Sequence, residues 1–223
     1  MSPNATMLTS TGPHFPAALR SGTLLAPCSQ IWALGNLDIL TMPLLGFFCA
    51  TRCPGNVILR TYDLALALRE AGVAVIGGFH TPMEKEGLEV LLRGQQPVVI
   101  CPARNIERLR LPMSWRQPYD QGRLLVLSPF TAHQRRPTTE LAEYRNRFVA
   151  TLATTIFVAY AGPGSKTAQF CGELVAQHRQ AYTLDLPDNA HLVQRGVLSH
   201  NLYDLIALLR HAHGDCSAHA ARD

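Results

Sequence analysis

The sequence predicts an α/β protein with an extended Rossmann-like fold: a doubly wound, mainly parallel sheet with helices on both faces. Three observations carry that expectation. Short apolar runs without alternation recur along the chain, as in Val73-Ala74-Val75-Ile76 and Leu124-Leu125-Val126-Leu127, the pattern of strands covered on both sides. Stretches with apolar residues at helical spacing separate them. Many of the runs end in glycine, proline or a hydroxyl residue, the punctuation of strand-to-helix turns.

Residues 1–13 are small and polar and are expected to form a flexible lead-in to a domain spanning 14–210. Leu45 to Ala50 reads as the first strand, closed by the loop Thr51-Arg52-Cys53-Pro54-Gly55. Ile58 to Ala71 is a helix with Gly72 at its C-cap. Val73 to Gly78 is the next strand, and Met83 to Leu92 a helix closed by Gly94. Strands follow at Pro97 to Cys101 and Gly122 to Ser128. Thr139 to Leu152 is a helix, Thr155 to Ala161 a strand, Thr167 to His178 a helix and Ala181 to Leu184 a short strand. Leu202 to Leu209 is the last helix, and a tail over 211–223 is expected to be disordered. Strands alternating with helices build a parallel sheet.

A chain of 223 residues suits one such domain and can bury a core without staples. The formal net charge of +4 announces no strong basic field, so nucleic-acid binding would rest on a local patch. The start of the chain lacks the basic and apolar regions of a signal peptide, and no apolar run is long enough to span a bilayer. A cytoplasmic protein without membrane contact is therefore expected. Its six cysteines show no C-x-x-C pair and are expected to be reduced.

In doubly wound sheets, ligands bind beyond the carboxyl ends of the strands. Four loops fall there. The turn Gly162-Pro163-Gly164-Ser165-Lys166-Thr167 joins a strand to a helix, a geometry that offers backbone N–H groups to an anion. Gly164, Ser165, Lys166 and Thr167 are its candidate phosphate contacts. It is neither G-x-x-x-x-G-K-[ST] nor G-x-G-x-x-G, which argues against nucleoside triphosphate hydrolysis. The alternative role for Ser165 is a helix N-cap. Thr51 and Arg52 follow the first strand, where an arginine fork suits a phosphate. Gly78 allows close approach of a backbone, and His80 beside it is a possible donor or base. Arg104 lies after the third strand. Arg145 and Arg147 flank Asn146 in a helix and point about 100° apart per residue, so they face different ways. His133, Gln134, Arg135 and Arg136 add a basic loop upstream. Cys49, Cys53 and Cys101 with His80 could hold zinc, but apolar burial of the thiols is the simpler reading. No nucleophile elbow appears, and neither a metal nor an organic cofactor is expected.

These residues in this order resemble the DprA/Smf (DNA processing A) family, within a superfamily that also holds the LOG-type nucleotide hydrolases. His14-Phe15-Pro16-Ala17-Ala18-Leu19 is similar to the family's Y-P-x-x-L segment. Ala33 to Leu40 is similar to its L-x-x-x-G-N-x-x-L-L hairpin, and Phe48 to Arg52 stands where it has V-G-S-R. Gly77 to Glu84 stands where it has S-G-x-A-x-G-I-D, and Gly122 to Ser128 resembles its G-x-x-x-S-E strand. Arg145-Asn146-Arg147 matches R-N-R, and Gly162 to Thr167 occupies its S-G-T/A loop. The resemblance implies a stand-alone Rossmann-like core that binds single-stranded DNA, dimerises and helps load a RecA-type recombinase in natural transformation and recombination. It also implies that Arg52 and Arg145 or Arg147 contact phosphate, with Gly78 and Ser165 as backbone positions of the pocket. Ala50-Thr51 in place of Gly-Ser, Thr81 in place of Arg and Glu84 in place of Asp are departures.

Three functions remain open from the sequence: a single-stranded DNA binder, a non-catalytic sensor of a small nucleotide or nucleotide-derived signal, and a LOG-type phosphoribohydrolase. The last stands lowest, because Phe170 falls where its P-G-G-x-G-T-x-x-E loop has the glutamate.

Overall fold

A computed structural model describes residues 4–214 of the chain. The elements are strands β1 (Thr6–Thr9), β2 (Gln30–Gly35), β3 (Leu45–Phe48), β4 (Val75–Gly77), β5 (Val98–Ile100), β6 (Leu124–Ser128), β7 (Thr155–Val158), β8 (Ala181–Leu184) and β9 (Leu198–His200). The helices are α1 (Gly55–Glu70), α2 (Pro82–Leu92), α3 (Met113–Asp120), α4 (Thr139–Leu152), α5 (Lys166–Ala176), α6 (Ala190–Val193) and α7 (Leu202–Gly214). All nine described strands form one sheet in the order β1-β2-β6-β5-β4-β3-β7-β8-β9. The run from β6 to β9 is parallel, whereas β2 pairs antiparallel with β6 and β1 antiparallel with β2. The fold class is the expected one.

Consecutive residues of the central strands feed opposite faces, as strand geometry requires. Phe47 belongs to an apolar cluster with Leu64 of α1, Leu91 of α2 and Leu205 of α7, while Phe48 belongs to another with Phe148 of α4 and Cys171 of α5. Phe47 and Phe157 on neighbouring strands meet at 5.7 Å between ring centroids. Both faces are thus buried, which is why the strands read as continuous apolar runs.

The differences from the sequence expectation begin at the edges of the sheet. The expected flexible lead-in contains β1, whose largely exposed Thr6–Thr9 residues become a strand because β2 presents an open edge. β9 is short and half polar, and pairs with β8 for the same reason. α3 carries Pro118 inside and follows Pro112, so its prolines mask it as a loop. Where Ala33 to Leu40 resembles a hairpin segment, β2 runs through Gln30–Gly35 and a 3-10 turn follows over Leu37–Thr41; Gly35 has φ +116° and an added Cβ would lie 2.1 Å from the Leu124 carbonyl oxygen, which excludes other residues. The expected tail from His211 starts inside α7, and its remainder lies outside the described residues. No helix among the described residues is long and apolar enough to cross a membrane.

Candidate functional site

The chain winds from β3 outward through β4, β5 and β6, then jumps to β7 on the other side of β3. Loops diverge at such a switch point and leave a crevice above the carboxyl ends of the two strands. That crevice is present here, with a volume of about 170 Å³. Phe48 lines it from the end of β3, Cys49 and Thr51 from the loop after it, His80 from the β4–α2 turn, Glu84 from α2, Arg145 and Arg147 from α4, and Lys166 and Thr167 from α5.

Glu84 is the residue that sequence reasoning undervalued. It is buried at 4% exposure. Its Oε1 accepts the Cys49 N–H (3.0 Å), and its Oε2 accepts the His80 (2.8 Å) and Thr81 (3.3 Å) N–H groups. The carboxylate therefore ties the ends of β3 and β4 together and completes a capping box with Thr81 at the start of α2. The Thr81-x-x-Glu84 spacing was the available signal for the box; the bond to Cys49 had none.

Arg145, at 4% exposure, is the positive partner in this buried layer. Its Nε donates to Asn146 Oδ1 (2.8 Å) and its Nη1 to the Cys101 carbonyl (3.3 Å). Its Nη2 has no hydrogen-bond partner among the described residues, although Arg145 borders the crevice. Burial pulls its pKa below the usual value and the charge of Glu84 opposes that pull. Gly78 exists to make room for it: a Cβ at that position would lie 1.6 Å from Arg145 Nη1. The expected close approach at Gly78 is thus made by an arginine of the protein. Beside it, Phe79 takes a positive φ of 47°, a strained conformation of the kind found at binding sites. His80 is exposed and lines the crevice.

The other two cations of the crevice are occupied. Arg147 makes a two-pronged pair with Glu173 of α5, with Nε and Nη2 each 2.8 Å from a carboxylate oxygen, and that bonding raises its pKa. Lys166 pairs with Glu143 of α4. With Glu84 counted, three carboxylates balance three cations on the walls of the crevice. Ser165 caps α5, its Oγ accepting the Ala168 N–H at 3.1 Å. Gly164 has φ +72° and open space at its Cβ position. The amides of Lys166 and Thr167 have no backbone partner among the described residues and remain available at the helix start.

Arg52 and Arg104 stand outside this central crevice. Arg52 is exposed in an adjoining depression with Ile58 and Met83, which shares Thr51 with the crevice. Arg104 lies in a neighbouring cleft with Trp115, joined to the crevice through His80 and Arg145. Sequence reasoning placed all of these candidates in one pocket; the structure distributes them along a row of connected clefts. Phe170 packs edge-on against Phe48 at 5.1 Å, lining the crevice where a LOG-type loop would hold its glutamate. Burial pushes the Cys101 thiol up to about 12 and raises Cys49 as well, and no group of three metal-ligating side chains forms among the described residues.

Comparison with solved structures finds this fold in DNA processing protein A (DprA) from Streptococcus pneumoniae, at 17% identity and a TM-score of 0.74 over 91% of this chain and 74% of that one. DprA from Helicobacter pylori, described for its single-stranded DNA binding mode, aligns at 16% identity and a TM-score of 0.74 over 96% of this chain and 100% of that one. A molybdenum cofactor binding protein from Rippkaea orientalis is more distant, at 12% identity and a TM-score of 0.52 over 76% of this chain and 96% of that one. No family model and no curated protein sequence matches the chain.

Proposed function

We propose that this protein, which has the fold of the DprA core, binds single-stranded DNA through backbone phosphates along its strand-end clefts. The observation that carries this reading is continuity. The Arg52 depression, the central crevice and the Arg104 cleft share Thr51, His80 and Arg145, so they form a path along the sheet edge. A polymer suits a path, whereas a small ligand suits one closed pocket. Trp115 lies on that path and offers a ring to a base. Arg145 Nη2 and the Lys166 and Thr167 amides supply donors at its centre.

The test is a titration of fluorescent oligothymidylate against rising salt. About four phosphate contacts predict ~50-fold weaker binding between about 50 and 200 mM salt. A flat salt response, together with thermal stabilisation by a mononucleotide, would instead establish the small-nucleotide sensor. That second reading draws on the two free amides and one buried guanidinium, which together suit a single phosphate. Roles in recombination or DNA uptake, a RecA-type partner and a homodimer rest on the fold likeness alone. Co-sedimentation with recombinase filaments and light scattering test them.

A further inference from the structure

We propose that a second groove, between the loop after β5 and the loop after β6, takes the phosphates of the same DNA strand as it leaves the Arg104 cleft. This inference rests on the single-stranded DNA reading above. The groove has a volume of about 370 Å³ and is lined by Arg104, Arg108, Arg110 and Arg135, with Glu107 as its only acid and Leu109 as its only apolar residue. All four arginines are exposed and none is in an ion pair among the described residues. Four guanidiniums held together against the single carboxylate of Glu107 repel one another, an arrangement that an external anion relieves.

The loops that carry them are fixed. The Asn105 N–H donates to the Gln134 carbonyl and Asn105 Nδ2 to the Phe130 carbonyl, both at 2.8 Å. Ser128 Oγ donates to the Arg104 carbonyl at 2.8 Å. These bonds cross from one loop to the other, so the arginines are presented by an ordered platform. The groove meets the cleft of Trp115 through Arg104. A chain of phosphates spaced along a strand matches a row of guanidiniums.

The test compares the double variant Arg108→Gln/Arg110→Gln with the control Arg93→Gln/Arg195→Gln. The control removes the same charge at the opposite ends of the strands, after α2 and before β9. Thermal melts of both confirm folding. With oligothymidylate, the groove variant should bind roughly 20-fold more weakly at about 0.1 M salt, and its log–log salt slope should be shallower by ~1.4, the value for two lost contacts on a single strand. The control should keep the wild-type slope. A groove variant with the wild-type slope, or equal losses in both variants, would overturn the groove while leaving the central site standing. Absence of oligonucleotide binding by the wild type would overturn both.

Discussion

The central crevice and the arginine groove lie along the same sheet edge, yet their charges are organised in opposite ways. In the crevice, Arg147 and Lys166 are paired to Glu173 and Glu143, and Arg145 is buried beside Glu84. In the groove, Arg104, Arg108, Arg110 and Arg135 share the described lining with a single carboxylate, Glu107. A paired site fixes geometry but attracts anions weakly at long range, because its field cancels. An unpaired site attracts polyanions and is steeply salt-dependent. Under the proposed single-stranded DNA reading, the crevice would position the strand and the groove attract it, and a net charge of only +4 would be compatible with such binding because the excess is local.

The largest expected effect comes from breaking the crevice itself. Gly78→Ala drives a methyl into Arg145 Nη1, which must abandon the Cys101 carbonyl. Displacing a buried, hydrogen-bonded charge costs about 3 kcal/mol or more. A domain of this size should then lose roughly 10 °C in melting temperature, measured by calorimetry. A melting temperature within a degree or two of wild type would show that Arg145 swings out freely and that the crevice is not a fixed layer.

A smaller effect sharpens the contrast. Glu143→Gln releases Lys166, making the crevice resemble the groove. Exposed pairs of this kind contribute only up to about 1 kcal/mol, so folding should hardly change. Oligonucleotide affinity should rise by roughly fivefold at ~0.1 M salt, with a steeper salt slope. Unchanged or weaker binding would mean that Lys166 never reaches the ligand.

The smallest effect belongs to Arg52, which stands in a depression at the far end of the path. Arg52→Ala should weaken oligonucleotide binding by about fivefold or less, the worth of one phosphate contact. No change in the titration would remove Arg52 from the path and shorten the proposed interface to the crevice and the groove.

The architecture was legible because burial writes itself into local pattern. Leu124 to Leu127 and Ile156 to Val158 are apolar on both faces, and the intervening helices repeat at their own period. The location of a crevice at the strand ends followed from that topology alone. The edge elements were illegible for an equally physical reason: Thr6–Thr9 and Leu198–His200 have weak intrinsic signals and are strands only because a neighbour leaves hydrogen bonds unfilled.

By itself, then, the sequence determined a parallel sheet, its helical layers and the loops at its carboxyl edge, since each depends on residues close along the chain. Tertiary structure alone decided which charges would be neutralised. Lys166 meets Glu143 and Arg147 meets Glu173 across 23 and 26 residues, through the relative register of α4 and α5. Arg145 enters the space left by Gly78, and Arg135 joins Arg104, Arg108 and Arg110 because hydrogen bonds join their loops. Periodicity reports which face of an element is buried. It does not report which side chain of a distant element lies opposite, and that pairing decides where an anion is drawn.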